Sequence, residues 1–426
     1  MRVVVCGAGP AGSLVALLLA AEGHEVTVLD RRRSAEPAVS ADTAPSGTPR
    51  GADGPHLLFL REALRLLSDE LPGATRELLS AGAVTAAGAN VVATRAAATS
   101  ALAAELSRTE GITTVHGVGV GALLPGWERT PGRPHVRGVR TDTGETVLSD
   151  LVVDAAGRDS QIVAMLGEIG APQPAEERPN AGFRLYTRRF AAPPGTGAHH
   201  AGWSVRHFDG VCVAVLSAGE RTWSMTLGID DEDRELRPLA GPFAWNRAAA
   251  LYEPLMPRQV GSPLPGVRIT SRVKGRHRRF VLGGRPVATG VVSVGDAWAA
   301  TDPLLGLSPS MGVLHALLLR EAVRDGGSFL DEVAVRFDRL TEETLTPVYR
   351  RVADWEERHR TRRGARSGAP SAAVPAGPAL DSAGLARDLQ DHFSGVAVRA
   401  ARTSRTGPAR ADLLAALTGG RTRTAW

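Results

Sequence analysis

Residues 2–6 form a short run that is apolar and mostly β-branched after its leading arginine. A glycine-rich turn follows, then a helix-forming stretch at 12–21 and an alternating segment at 25–29 that ends on Asp30. A short apolar run predicts a buried strand and alternation a half-buried one, so the first thirty residues read as strand, turn, helix, strand. Residues 34–54, rich in Ser, Ala, Pro, Thr and Gly, predict a long loop. Helices are expected at about 57–71, stopped by Pro72-Gly73, at about 74–81 and at 96–108, with strands at 113–118, 136–141 and 151–153. The pattern then changes. Segments 181–190, 202–208, 211–217 and 222–229 alternate over long spans, with Asp209-Gly210 and Gly219-Glu220 as turn signals, and predict an antiparallel sheet with one face buried. Strands resume at 267–273 and 291–294, and helices cover about 310–324 and 330–360. Residues 361–380 are low in apolar bulk and read as a linker, with two weak helices beyond it at 382–392 and 409–417.

Composition adds limits to this picture. With 426 residues, 43 % of them hydrophobic and 22 % charged, the chain has the mix of a globular protein of about two to three domains. Gly7, Gly9, Pro10 and Gly12 interrupt the apolar start, and no run of about 18 uncharged apolar residues follows elsewhere, so neither a membrane span nor a signal peptide is expected. The expected location is the cytoplasm, without integral membrane association. Cys6 and Cys212 are too few and too far apart for a disulfide framework or a zinc cage, so no metal is expected and any hard chemistry must be borrowed from a cofactor. The net charge is +5, yet of 50 basic residues only Lys274 is a lysine. That balance fits codon bias toward arginine, and it also fits anionic ligands, a membrane surface or nucleic acid.

Gly7-Ala8-Gly9-Pro10-Ala11-Gly12 has the form of a dinucleotide-binding turn and stands where one is useful, after a strand and opening a helix. The first glycine makes the tight turn, the second lets backbone approach a pyrophosphate, and the third packs helix on strand. The helix N-terminus offers free N–H groups to phosphates, and Asp30 would accept from ribose hydroxyls. The alternative is a glycine turn in some other α/β protein.

Two further stretches separate these readings. One runs Val294-Gly295-Asp296-Ala297, then Pro303, Gly306, Met311 and Gly312, to a helix reaching His315-Ala316. The other is Asp150-Leu151-Val152-Val153-Asp154-Ala155-Ala156-Gly157-Arg158-Asp159-Ser160. With the first turn, these resemble the three motifs of the FAD-dependent monooxygenases. Thr48-Pro49-Arg50-Gly51, Pro55-His56-Leu57-Leu58, Arg95 and Pro347-Val348-Tyr349-Arg350 are similar to a bacterial natural-product branch of that family that includes hydroxylases and epoxidases. The resemblance covers about residues 1–360. It implies that Asp296 bonds the ribityl chain, that Pro303 lies by the flavin ring, and that the helix N-terminus around Ser308-Pro309 points at the pyrimidine end. It also implies cofactor contacts for Gly157, Arg31, Arg50, Arg95, Asp154 and the backbone of Val120, while His56 faces flavin or substrate or is simply a helix-entry residue. Two positions depart from the pattern. Ala156 stands where an aspartate is usual, which bears on direct reduction by NAD(P)H, and Ser308 stands where a second glycine is usual.

The expected architecture is α/β: a Rossmann-like three-layer FAD-binding domain with an inserted antiparallel-sheet substrate domain and a helical C-terminus. Its boundaries are 1–172 with 268–330 for the FAD domain, 173–267 for the substrate domain, 331–360 for a C-terminal helix and 361–426 for the linker and tail. Phe183, Tyr186, Trp203, Trp223 and Met225 read as sheet core, His199-His200 as exposed histidines, and Arg276-His277-Arg278-Arg279 as a solvated turn. The resemblance implies insertion of one oxygen atom from O2, as hydroxyl or epoxide, into a hydrophobic secondary-metabolite intermediate. Electrons would come from NAD(P)H or from a partner flavin reductase, and nucleic acid drops out as a partner. A flavin dehydrogenase or reductase of the same fold is the alternative, with a flavin-fold binding protein that has lost activity as the non-enzyme reading. The near absence of lysine counts against a halogenase, since those enzymes need a catalytic lysine.

Overall fold

The computed structural model describes residues 1–33, 57–85, 90–178, 182–191, 203–207, 211–217, 222–252, 255–256, 261–273, 275–301, 303–326 and 330–354. Arg50, His56, His199, His200, Lys274 and everything expected of the tail lie outside the described residues.

Five parallel strands form the central sheet, in the spatial order Val291–Ser293, Leu151–Asp154, Arg2–Cys6, Glu25–Asp30, Ile112–His116. The register aligns their C-terminal ends: Cys6 lies opposite Asp154 and Leu29, and Asp154 opposite Ser293. The chain order along the sheet reverses between Arg2–Cys6 and Leu151–Asp154, and the crevice beyond such a reversal is where a doubly wound sheet binds its ligand. Val3, Val4 and Val5 are buried on both faces of the sheet, which is why this strand reads as a continuous apolar run.

Helix Pro10–Ala21 lies on one face, with Leu14, Val15, Leu17, Leu18 and Leu19 buried against helices Arg95–Arg108 and Ser308–Gly326. On the other face a three-stranded meander, Val120–Thr130, Arg133–Thr141 and Thr146–Leu148, packs with helix Ile162–Glu168 over Val4, Cys6 and Val152. The first of these strands was not expected, because Gly121, Pro125 and Gly126 break its alternation, and its ladder carries the register shifts that such residues bring.

Three other expectations need correction. Residues 57–59 form a strand, Leu57–Phe59, paired with Val91–Ala93, and the helix begins only at Arg61. A three-residue apolar run reads equally well either way; the ladder, and a bond from the Leu58 amide to Gly306 O at 2.9 Å, select the strand. The arginine-rich run is no turn. Arg276–Arg279 is a strand between Ala175–Glu177 and Ala299–Ala300, with His277 1 % and Arg278 5 % exposed. Its charges pair inside the fold, Arg278 Nε with Glu176 Oε2 at 2.7 Å, so hydropathy could not reveal it.

The third correction concerns the insertion. Its sheet contains Trp203–His207, Val211–Ser217, Thr222–Asp230 and Phe183–Ala191 as antiparallel neighbours, and Arg268–Val273 pairs with Phe183–Ala191 as well. Arg268 therefore belongs to the inserted sheet, not to the returning FAD segment. One face of the sheet, with Tyr186, Trp223, Met225, Leu227 and Ile229, packs on Trp245 and Ala249 of helix Pro242–Ala250. Phe190 stacks on Trp223 with ring centroids 4.2 Å apart, and Trp245 Nε1 donates to Tyr186 O at 2.9 Å. Phe183, Leu185, Val205, Cys212 and Ala214 on the opposite face join the main core with Leu304 and Leu305. Helix Leu330–Thr344 closes the C-terminal side, and the chain is helical again over 346–354.

Candidate cofactor site

The three sequence motifs meet at the C-terminal ends of the parallel strands. Gly7 has φ +114°, a conformation that suits glycine, and a side chain there would drive a Cβ to 2.6 Å from Ala155 O. A Cβ on Gly12 would lie 2.0 Å from Gly7 O and 2.9 Å from the Ala155 Cβ. The first motif is thus pressed onto the middle one. It also meets the third: a Cβ on Gly295 would sit 2.8 Å from Ala11 Cβ, and one on Gly312 3.4 Å from it. The middle and third motifs join through Arg158, whose Nε lies 3.4 Å from Asp296 Oδ2 and whose guanidinium also donates to Thr301 O.

Gly9 differs from its neighbours. A Cβ there would meet nothing within 4 Å, and Gly9 caps helix Pro10–Ala21 without a side-chain bond. Uncapped amides and the positive end of the helix dipole therefore face open space, which fits the phosphates of a dinucleotide.

Arginines gather around that space. Arg95 opens helix Arg95–Arg108 immediately after Thr94, whose hydroxyl accepts from the Ala97 amide at 3.1 Å and fixes the first turn. It has no ion pair among the described residues. Burial holds its pKa below the usual arginine range; Asp296 pulls the other way, while Arg32, Arg158 and Arg268 add to the depression. An excess of positive charge at a half-buried site suits an anionic ligand.

Asp30, 8 % exposed, is gripped by Arg32, whose NH2 group lies 2.8 Å from Oδ2 and also donates to Ala8 O at 3.0 Å. The arginine that reaches the glycine turn is therefore Arg32. Arg31 leans over Gly119, where an added Cβ would lie 2.5 Å from its Cγ. Val120 begins the strand after Gly119 and lies opposite Thr141 in the meander.

Asp154 takes a different place from the one expected. It is 0 % exposed, and it accepts from Ser160 Oγ at 2.6 Å, the Ala156 amide at 3.1 Å and Ser293 Oγ at 3.2 Å. Burial pushes its pKa up, and those bonds oppose the rise. Enclosed in this way, it holds the Ala155–Gly157 turn in position instead of reaching the crevice. The third motif is supported from behind by His315, also 0 % exposed: Nδ1 accepts from the Gly295 amide at 3.1 Å, and Nε2 lies 3.3 Å from Thr341 Oγ1. Burial holds its pKa down to about 3, so the ring stays a neutral acceptor.

A cavity of about 30 Å³, lined by His315, Trp298, Phe337, Asp338 and Thr341 among others, lies on this rear side. It has room for a water or two and is not where an organic substrate would sit.

On the other side, Pro303–Leu305 and Gly306 lead into helix Ser308–Gly326. Ser310 Oγ donates to Leu58 O at 2.8 Å and accepts from the Leu60 amide at 2.9 Å, which locks the helix start. Met311 is 4 % exposed, its amide already bonded to Leu307 O at 3.1 Å. Leu304 touches the inserted sheet directly: a Cβ on Gly228 would lie 3.1 Å from its Cδ1. The inner face of that sheet is thus one wall facing the site, and it packs on the third motif, the other, through the buried Leu304.

A family model described as an FAD binding domain matches residues 1–50. Protein Rv3254 of Mycobacterium tuberculosis is 30 % identical over 215 residues, 48 % of this chain and 44 % of that protein, so the match spans less than half the length of the curated relative. Among solved structures, 2-methyl-3-hydroxypyridine-5-carboxylic acid oxygenase aligns with a TM-score of 0.61 at 17 % identity, over 86 % of this chain and 94 % of its own. PqsL, a probable FAD-dependent monooxygenase from Pseudomonas aeruginosa, aligns at 0.57 and 16 % identity, over 93 % and 99 %. The chain has the fold of the FAD-dependent monooxygenases. CmlS, a flavin-dependent halogenase, shares this fold at 0.62 and 17 % identity, over 99 % of this chain and 70 % of its own. The monooxygenase fold accounts for the crevice, the inserted sheet and the helical C-terminal region, and it leaves the chemistry to the site itself.

Sequence reasoning overlooked Arg32, Arg158, Arg268 and the buried role of His315. Arg158 lies within the middle motif, and its charge beside Gly157 was a usable signal. Arg268 had none, because only the strand register shows which way it points.

Proposed function

We propose that the protein is an FAD-dependent monooxygenase that places one oxygen atom from O2, as hydroxyl or epoxide, on a small organic substrate held between the flavin and the inserted sheet. The observation that carries this reading is the meeting of all three motifs at the strand-order reversal, with Gly9 open to space and Arg95 without an ion pair among the described residues. The amides of Ala11 and Gly12 and the guanidinium of Arg95 would hold the pyrophosphate, and Asp30 the ribose. Asp296, oriented by Arg158, would hold the ribityl chain. Pro303 and Gly306 would flank the ring, and the start of helix Ser308–Gly326 would face its pyrimidine end. Arg31, Val120, Gly157, Met311 and Gly312 belong to the same cradle, and Arg50 and His56 are assigned to it from the sequence alone.

The bound flavin supplies the electron and oxygen chemistry; the chain supplies binding, orientation and exclusion of water. Electrons come from NAD(P)H or from a partner flavin reductase, and the setting is cytoplasmic secondary metabolism. The CmlS likeness is one of fold, and a chain with Lys274 as its single lysine lacks the lysine that the halogenase reading needs elsewhere.

The test is to reduce the purified flavoprotein under argon and admit oxygen in a stopped-flow mixer. An oxygen-dependent transient, distinct from both the reduced and oxidised spectra and shortened by substrate, supports monooxygenation. Direct return to the oxidised spectrum favours the dehydrogenase or reductase reading.

A further inference from the structure

The far end of the meander carries a feature that neither the cofactor cradle nor the inserted sheet uses. Strand Val120–Thr130 starts beside that cradle, where Arg31 leans over Gly119, and runs 11 residues to a hairpin turn at Pro131-Gly132, about 30 Å away. Its inner side, Leu123 with Val136 and Val139 of the next strand, is buried over the parallel sheet. Its outer side ends in Trp127, which is 94 % exposed, more than any other large apolar side chain among the described residues. A lone exposed apolar side chain is ordinary; an indole standing clear of the fold among like charges is not. The charges are arginines. Between residues 125 and 137 stand Arg129, Arg133 and Arg137 against the single acid Glu128, which already accepts from the Gly132 amide at 3.0 Å. Arg137 crosses the strand next to the indole: its Nε donates to Pro125 O at 3.1 Å, and a Cβ on Gly126 would lie 3.4 Å from its Cδ. Arg285, from the strand Arg285–Pro286, reaches the same turn and donates to Pro131 O. None of the four is in an ion pair among the described residues.

We propose that the hairpin over residues 125–137 is a peripheral anchor for an anionic membrane surface. The Trp127 indole enters the boundary between headgroups and acyl chains, and Arg129, Arg133, Arg137 and Arg285 meet the lipid phosphates. An indole favours that boundary, because its ring is apolar while its N–H still finds partners there, and each arginine adds attraction to an anionic leaflet. Neither signal alone gives firm attachment, so the contact is reversible and depends on both. Other occupants fit this surface less well. A second copy meeting it about a twofold axis would set the arginines against their own images. A nucleic acid strand needs aromatic rings along a basic groove, whereas Trp127 stands alone and clear of the fold. Part of the net charge of +5 thereby acquires a role that the phosphates of a cofactor do not explain. The anchor is independent of the flavin reading, and it would bring the protein to the surface where apolar molecules collect.

The purified full-length protein is sedimented with vesicles of phosphatidylcholine alone and of phosphatidylcholine with an equal part of phosphatidylglycerol, at low and at high salt. The same measurements are made on Trp127→Ala, Trp127→Phe and a double variant carrying Arg129→Gln and Arg137→Gln, with urea unfolding of each. The expected result is binding to the mixed vesicles that high salt reverses, and little binding to phosphatidylcholine alone. W127A and the double variant each weaken that binding by about tenfold, and W127F weakens it less. The unfolding midpoints of the two Trp127 variants stay at that of the unchanged protein, so their loss is not one of folding. No binding to the mixed vesicles, equal binding to both kinds, or binding that W127A leaves unchanged would each overturn the anchor. A labelled single-stranded oligonucleotide is titrated in parallel. Oligonucleotide binding that W127A weakens, without vesicle binding, would overturn the anchor as well and assign the surface to nucleic acid.

Discussion

The two walls of the cleft are specified differently. On the parallel-sheet side the decisive residues are Gly7, Gly12, Gly295 and Ala155, and each is dictated by backbone or Cβ contact with the next motif. On the inserted-sheet side the backbone is an ordinary antiparallel ladder, and what distinguishes Thr187, Thr226 and Arg268 is only the chemistry that they present. The first wall is fixed where backbones approach closely, at Gly7, Gly12 and Gly295, whereas the second leaves its side chains as the distinguishing feature. A cofactor common to many proteins suits the first arrangement, and a substrate particular to one suits the second.

Four changes can break or sharpen that contrast. Gly12→Ala should be the most damaging, since its Cβ would lie 2.0 Å from a backbone oxygen; we expect a loss of more than about 4 kcal/mol or no folded protein, read from urea unfolding. Met225→Ala, at a 0 % exposed position on the outer face of the inserted sheet, should cost about 2–5 kcal/mol in the same assay. Its FAD affinity should be that of the unchanged protein, and a parallel loss of FAD binding would mean that the two walls are not independent.

The support behind the first wall should respond to acid. His315 has a pKa of about 3 in the fold against 6.5 when free, so below about 6.5 the unfolded chain takes up a proton that the folded one refuses. Stability is complete above that pH and falls from there toward about 3, by roughly 2 kcal/mol at pH 5. His315→Asn keeps an acceptor for the Gly295 amide and removes the titration. Unfolding midpoints at pH 7 and pH 5 should differ less in this variant than in the unchanged protein; identical differences would remove His315 from the account. Gly9→Ala is the smallest change in stability, because its Cβ meets nothing within 4 Å. Its unfolding midpoint should be unchanged, while FAD affinity, by flavin fluorescence, drops by about tenfold from crowding of the pyrophosphate.

The contrast also explains what the sequence disclosed. The parallel strands, the glycine turn and the order of the three motifs were legible, because backbone contacts of this kind demand glycine and alanine at fixed positions, and such demands leave a pattern. The outer face of the inserted sheet was legible too: Tyr186, Trp223 and Met225 are core, as alternation implied. Asp154 was misplaced, since a motif position says that an aspartate is needed and not whether it faces the ligand or holds the turn beneath it. The strand Arg276–Arg279 was missed because its burial is compensated by ion pairs that hydropathy counts as exposure. Arg268 gave no signal, because the direction of a side chain on an edge strand depends on a register set by residues some eighty positions earlier.

The central claim is that the crevice bounded by Gly9, Arg95 and Asp296 holds FAD. Its most direct test is a titration of the purified, flavin-free protein with FAD, followed by quenching of flavin fluorescence, alongside the same titration of Arg95→Gln. The account predicts saturable binding of one FAD per chain, weakened by about tenfold in R95Q. No saturable binding by the unchanged protein, or binding that R95Q leaves untouched, would contradict it.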